Sequence, residues 1–239
     1  MNEKVFAIIV AAGTGKRMNS TVKKQYMEID SRPVLALTLK AFEDSKTDEI
    51  IVVTGLDEIE YVSEDIVKKY GFKKVVSVCA GGRERCDSVY EGIKQVTEDG
   101  FVLIHDGVRP LITPTLIDSC IENVKRNGAC IPGVPEKDTV KEADENMEVV
   151  RTPDRKKMFR IQTPQCFRVD LIKEAFEKFY ESGDSSSSMT DDAMLVEKYT
   201  GHKVKIIEGD YKNIKITTPE DIKLAGFYLS DKRREGNGR

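Results

Sequence analysis

The chain has 239 residues, enough for one large domain with a substantial buried core, and no second domain is needed. Lys and Arg total 38 against 41 Asp and Glu, a net charge of −3, so nothing favours wrapping nucleic acid and any anionic ligand must meet a local cationic pocket. No apolar stretch reaches 18 residues and no signal-peptide pattern precedes the first strand, which predicts a soluble, cytoplasmic protein without a membrane partner.

The first element is an apolar run from Val5 to Ala11 that breaks into Ala12-Gly13-Thr14-Gly15-Lys16-Arg17, with Lys24 seven residues further on. A buried strand feeding a glycine turn with cations beyond it suits phosphate. The dinucleotide fingerprint needs a third glycine at position 18, where Met18 stands, and a Walker loop needs four residues between its glycines, where this chain has Thr14 alone. What remains is a turn whose backbone N–H groups can face an anion while Arg17 and Lys24 supply charge. An ordinary strand-to-helix turn with solvated cations would read the same way.

β-Branched runs recur at Ile50-Val53, Val75-Val78, Val102-Ile104 and Ala129-Ile131. Between them lie helical spacings such as Ile59, Val62, Ile66, Val67 and Leu116, Ile117, Cys120, Ile121, Val124. This alternation predicts an α/β layered sandwich with parallel pairing and helices on both faces. Ligands then gather beyond the carboxyl ends of the strands, where Gly13, Gly81-Gly82 and Asp106 fall.

Gly81-Gly82-Arg83-Glu84-Arg85-Cys86-Asp87-Ser88 follows a strand and opens a helix, offering N–H groups and a hydroxyl able to read a base edge. At the end of the next strand, Asp106 and Arg109 could hold sugar hydroxyls and phosphate, or Asp106 could bind a metal. Residues 137–158 are charged and poor in large apolar groups. The runs Asp138-Lys141 and Met147-Arg151 within them predict a protruding hairpin that packs on something else, such as a second subunit.

Val169-Tyr180 has helical spacing, and Gly183 to Ser188 reads as a connector. Thr190 is placed to cap the next helix, with Asp191 and Asp192 in its first turn. Val204-Ile207 and Ile214-Ile216 look like late strands, the second turning Lys215 away from the buried face of its isoleucines. Thr218-Pro219-Glu220-Asp221 opens a final helix, and 232–239 reads as a frayed tail. Five cysteines without a CxxC pair, and two histidines, His105 and His202, fit structural thiols better than disulfides or a zinc site.

Taken in order, Ala11 to Met18, Lys24-Gln25-Tyr26, Gly81-Gly82 with Arg85 and Asp87-Ser88-Val89, His105-Asp106 with Arg109-Pro110, and Asp138 to Lys141 form a set that continues with Gln162-Thr163-Pro164-Gln165, Thr190 to Ala193 and Asn213-Ile214-Lys215. This set resembles the 2-C-methyl-D-erythritol 4-phosphate cytidylyltransferase family of non-mevalonate isoprenoid biosynthesis, from Val5 to about Leu229. The resemblance implies a three-layer nucleotidyltransferase Rossmann-like sandwich, CTP and methylerythritol phosphate as substrates, Mg²⁺ or another divalent cation held mainly through the triphosphate, and a homodimer whose arm reaches the neighbouring site. It also implies site residues. Arg17, Lys24 and Lys215 would be catalytic, with Ala11, Ala12, Gly13, Gly15, Gly81, Gly82, Ser88 and Asp106 on CTP. Asp106, Arg109 and Thr163, with Thr139 and Arg155 from the partner's arm, would hold the sugar phosphate.

Two positions depart from the family's usual pattern. Gly107-Val108 stands where the family has Ala-Ala, a valine reminiscent of the related ribitol 5-phosphate cytidylyltransferases, and Lys23 stands where it has proline. Asp138-Thr139-Val140-Lys141 and Asp154-Arg155 favour methylerythritol phosphate over ribitol phosphate. A non-catalytic nucleotide-binding module is a further alternative, against which cations from both ends of the chain argue.

Overall fold

A computed structural model describes residues 3–13 and 22–237. Strand β1 (Lys4–Val10) pairs in parallel with β2 (Glu49–Thr54) on one side, and β2 pairs in parallel with β3 (Val75–Ala80). On its other side β1 runs parallel to β4 (Gly100–Asp106), in a register that sets Val10 beside Asp106. The chain thus leaves β1 in both directions across the sheet, and the crevice at such a switch point is where α/β sheets bind ligands.

Alternation along β1 divides the core. Val5, Ala7, Ile9 and Ala11 face a cluster with Leu35, Leu39 and Phe42 of α1 (Val34–Glu43) and with Ile117 and Ile121 of α4 (Pro114–Asn127). Phe6 and Ile8 face the opposite cluster, with Val89 and Ile93 of α3 (Arg85–Ile93) and Ile172, Phe176 and Phe179 of α5 (Val169–Ser182). Period-two alternation with helices on both faces makes the predicted three layers. The crossover from β2 to β3 runs from α2 (Ile59–Tyr61) into a π-helical stretch, Val62–Lys68, that buries Val62 and Ile66 as the spacing predicts; the earlier crossover, from β1 to β2, is made by α1.

The sheet is not wholly parallel. Beyond β4, strands β8 (Phe159–Ile161) and β9 (Gln165–Arg168) run antiparallel to β5 (Ala129–Pro135), and β9 also pairs antiparallel with β4. The parallel partner of β5 is β10 (Lys205–Glu208). The reversed strand is short and mixes Gln165 and Arg168 with Cys166 and Phe167, so it gives no long β-branched signal.

Three local expectations are corrected. Ile214-Ile216 is not a strand: it is an extended segment tied by the Ile216 N–H donating to the Val108 carbonyl at 2.8 Å, without a ladder. In the arm, the first strand is β6 (Glu142–Ala143), not Asp138-Lys141, and it pairs with β7 (Val149–Arg151) across a turn where Met147 adopts φ 65°. The cap of α6 (Asp192–Thr200) is Asp191, whose side chain accepts from the Met194 N–H at 2.8 Å, and not Thr190. The carboxylate outcompetes the hydroxyl because it bears full charge beside the helix's positive end.

At the last helix, α7 (Pro219–Asn237), Asp221 accepts from the Thr217 and Thr218 N–H groups, both at 2.8 Å, which realises half of the predicted capping box. All five cysteines are free thiols. Among the described residues no helix is long and apolar enough to cross a membrane.

Candidate active site

The carboxyl ends of β1 and β4 present the two halves of the site side by side. After β1, Ala11 is buried and hydrogen-bonded by its N–H to the Val53 carbonyl at 2.7 Å, while Gly13 is exposed. The buried Gln25 side chain donates to the Ala11 carbonyl at 2.7 Å and to the Gly13 carbonyl at 3.1 Å, which turns the intervening backbone outward. Gly15 and Arg17 lie outside the described residues; Lys24 is half-buried at the turn before Gln25.

The second glycine loop leans on the first. A methyl at Gly81 would stand 2.6 Å from Ala12 Cβ and 2.7 Å from Ser88 Oγ, so glycine there lets the two loops touch. Ser88 is buried, accepts from the Gly82 N–H at 3.1 Å and donates to the Glu84 carbonyl at 3.0 Å. It therefore shapes the loop, with its proton already committed.

Asp106 is the electrostatic centre. Its Oδ1 faces Arg85 Nε at 3.2 Å, and its Oδ2 faces Lys215 Nζ at 3.0 Å and Arg109 Nε at 3.4 Å. Burial alone would raise the pKa of this carboxyl. Each ion contact is worth about 4 kcal/mol at an effective dielectric of ~20, against several kcal/mol for desolvation, so the cations win. Arg85, Lys215 and Arg109 hold Asp106 well below the usual carboxylate range. Lys215 indeed points away from Ile216, which is fully buried, and into this cluster.

Further groups fix these charges in place. Arg85 forms a fork with Asp192, at 2.9 and 2.8 Å; burial pushes the Asp192 carboxyl up, and Arg85 opposes it. Gln165 Oε1 accepts from the Asp192 and Ala193 N–H groups, both at 2.9 Å, and so holds the first turn of α6 against β9. Arg109 Nη1 donates to the Asn213 carbonyl at 2.8 Å, anchoring the segment that carries Lys215.

Thr163 Oγ1 accepts from the Asp106 N–H at 3.1 Å and meets His105 Nδ1 at 2.9 Å. Its buried hydroxyl orients the strand end beneath the carboxylate. His105 is fully buried, which pushes its pKa down to about 3, and its ring lies 5.0 Å from that of Phe42.

Two adjoining clefts of about 270 and 260 Å³ open here. The second is lined by Arg85, Asp106, Arg109, Gln162, Thr163 and Lys215, among others, and the two share Arg109, Gln162 and Lys215. Within one chain, neither Thr139 nor Arg155 is among the described lining residues; both are exposed on the arm, where Arg155 donates to the Lys137 carbonyl at 2.8 Å. Val108 is likewise absent from that lining. It is buried in a small cluster with Val34, Ile216 and Ala225.

Among the described residues no three His, Cys, Asp or Glu side chains are grouped to hold a metal ion. Both Asp106 oxygens already face cations, so this donor set does not fit a protein-ligated divalent ion. The sequence gives no role to Arg85, Gln25 or His105, and reads Asp192 only as a charge in the first turn of its helix. Each lies within or beside a motif named above, but their partners are 12 to 107 residues away.

The sequence model describing 2-C-methyl-D-erythritol 4-phosphate cytidylyltransferase, IspD, matches residues 5–231. An enzyme of that name from Alkaliphilus oremlandii is 49% identical over 235 residues, covering 98% of each chain. One from Lachnospira eligens is 48% identical over 224 residues, covering 93% of this chain and 98% of the relative. Among solved structures, 4-diphosphocytidyl-2C-methyl-D-erythritol synthase from Anaerococcus prevotii superposes with a TM-score of 0.83 at 40% identity, over 95% of this chain and 96% of that one. These likenesses span nearly the full chain and include both glycine loops and the Asp106 cluster, and the chain belongs to the 2-C-methyl-D-erythritol 4-phosphate cytidylyltransferase family.

Proposed function

We propose that this site transfers the cytidylyl group of CTP to 2-C-methyl-D-erythritol 4-phosphate, giving 4-diphosphocytidyl-2-C-methyl-D-erythritol and pyrophosphate. The observation that carries the reading is the meeting of two glycine loops with the Arg85–Asp106–Lys215–Arg109 cluster at one sheet edge, in a chain of this family. The acceptor phosphate, with a second pKa near ~6, is largely dianionic at neutral pH. It attacks the α-phosphorus without a general base, the new P–O bond forms, and the α–β bridge breaks to release pyrophosphate. Positioning and charge stabilisation therefore carry the catalysis.

In this reading Ala11 to Gly13, Gly15, Gly81, Gly82 and Ser88 shape the nucleotide's seat. Arg17 and Lys24 bind the triphosphate, with Lys215 on the opposite side. Asp106, kept ionised by its three cations, accepts from sugar hydroxyls, and Arg109 and Thr163 set the acceptor's side. A divalent cation such as Mg²⁺ would be held mainly through the triphosphate, with no protein ligand assigned to it, and would supply further charge stabilisation there. The exposed arm, with Val149 and Val150 more than half accessible, supports a homodimer in which Thr139 and Arg155 grip the partner's acceptor. A soluble, cytoplasmic location fits this small-molecule chemistry.

Pyrophosphate release from CTP, assayed with methylerythritol phosphate and with ribitol 5-phosphate, tests the reading. Release with the first acceptor is expected. Release with ribitol phosphate alone would overturn the acceptor, and none with either would overturn the activity. Light scattering tests the dimer.

A further inference from the structure

The backbone that carries Lys24 is a tight turn: the Tyr26 N–H donates to the Lys23 carbonyl at 2.9 Å, placing Lys24 and Gln25 at its two central positions. A lysine's ammonium sits on a flexible four-carbon stem, so its placement depends on how firmly its Cα is held. Gln25 ties the turn to the Ala11 and Gly13 carbonyls. The two ends of the turn are held differently, through Thr54 at the end of β2 and Glu58 beyond it.

Lys23 Nζ meets Glu58 Oε1 at 2.8 Å, and Glu58 Oε2 accepts from Thr54 Oγ1 at 3.2 Å and from the Gly55 N–H at 3.1 Å. Thr54 Oγ1 also lies 2.8 Å from the Tyr26 hydroxyl. A threonine hydroxyl has one proton, and a carboxylate can only accept. Thr54 therefore donates to Glu58 and accepts from Tyr26. The bonds close a ring, Lys23 to Glu58, Thr54 to Glu58, Tyr26 to Thr54, whose ends are the first and last residues of the Lys24 turn. The Thr54 carbonyl meanwhile accepts from the Gly81 N–H at 2.7 Å, so one post holds both this turn and the second glycine loop.

An exposed ion pair would mean little. The Glu58 side chain, however, is only 13% exposed, and although burial would raise its pKa, Lys23 and the Gly55 N–H hold it below the ordinary value.

We infer that Glu58 is a positioning residue: through Lys23 and Thr54 it fixes the turn that presents Lys24 to the nucleotide. The inference rests on the reading of Lys24 as a triphosphate ligand. It is tested by steady-state kinetics on the full chain with CTP and methylerythritol phosphate, for Glu58→Gln, Lys23→Ala, Lys23→Arg, Lys24→Ala and the doubles Lys23→Ala/Glu58→Gln and Lys24→Ala/Glu58→Gln. Glu58→Gln and Lys23→Ala should each lower kcat on the order of 10-fold, less than the ~10²-fold that a 1 Å misplacement can cost. KM for the acceptor should stay unchanged, the Lys23→Ala/Glu58→Gln double should be no slower than either single, and Lys23→Arg should retain most of the activity. With Lys24 already replaced by alanine, Glu58→Gln should have no further effect.

Wild-type kcat in both single variants would overturn the inference, as would an equal penalty with and without Lys24. Wild-type turnover in Lys24→Ala would instead remove the reading beneath it. Lys23 is 36% exposed, so Lys23→Ala decides the matter should Glu58→Gln melt early.

Discussion

Arg85 and Asp192 stand 107 residues apart, yet the two guanidinium nitrogens meet the two carboxylate oxygens at 2.9 and 2.8 Å. The pair joins α3 to α6, and Arg85 Nε reaches on to Asp106. One arginine thus couples the helix behind the second glycine loop to the strand end that carries the central carboxylate.

Removing Asp192 leaves a largely buried guanidinium short of its partner. Asp192→Ala should cost about 3 kcal/mol of unfolding free energy, the lower end for a broken buried pair because Arg85 still touches Asp106. Urea denaturation measures it. Glu64→Ala, which breaks an exposed pair with Lys68, is the control and should change stability by less than ~0.5 kcal/mol.

Lys24→Ala and Arg17→Ala should each lower kcat by roughly 10²–10³ while leaving the thermal midpoint nearly unchanged, since in the proposed reading each removes charge stabilisation from the transition state. Pyrophosphate release and a thermal melt on the same samples check this. Near-normal turnover in either variant would exclude that residue from the mechanism.

Gly81→Ala drives a methyl into Ala12 and the Ser88 hydroxyl, at 2.6 and 2.7 Å. Overpacking of this kind costs roughly 1–3 kcal/mol, and at the site it should separate the two glycine loops and raise KM for CTP about tenfold or more. KM for the acceptor serves as the internal reference.

His105 gives the fold a pH signature. Its pKa is pushed from 6.5 down to about 3 by burial, so between those values the unfolded chain binds the proton and the native one does not. Stability should therefore fall as pH drops below about 6.5, by up to ~1.4 kcal/mol per unit. His105→Gln should flatten that dependence between pH 7 and 5 in urea titrations, whatever its effect at pH 7.

The layered α/β sandwich with parallel pairing was legible because Val5–Ile9, Ile50–Val53 and Val102–Ile104 are apolar runs buried on both faces. The glycine loops and Asp106 followed, since strand ends fix where such residues fall. The reversed strand β9 was not legible, for its pairing with β4 and β5 depends on partners that four mixed residues do not announce. Asp192 read as a helix-capping charge because its real partner, Arg85, is distant in the chain. Val108, a departure reminiscent of the ribitol 5-phosphate enzymes, packs against Val34 and Ile216, neighbours that lie far from it in the chain.

The pairing of Val10 with Asp106 ties correct assembly to a working site. Neighbours in a strand face opposite sides, so a slip of β4 by one residue would swing His105 toward the nucleotide and drive Asp106 inward against Phe42. A carboxylate there would lose the contacts it now makes with Arg85, Lys215 and Arg109. A misregistered molecule would be both inactive and unstable, so quality control acting on stability alone would also clear the cell of dead enzyme.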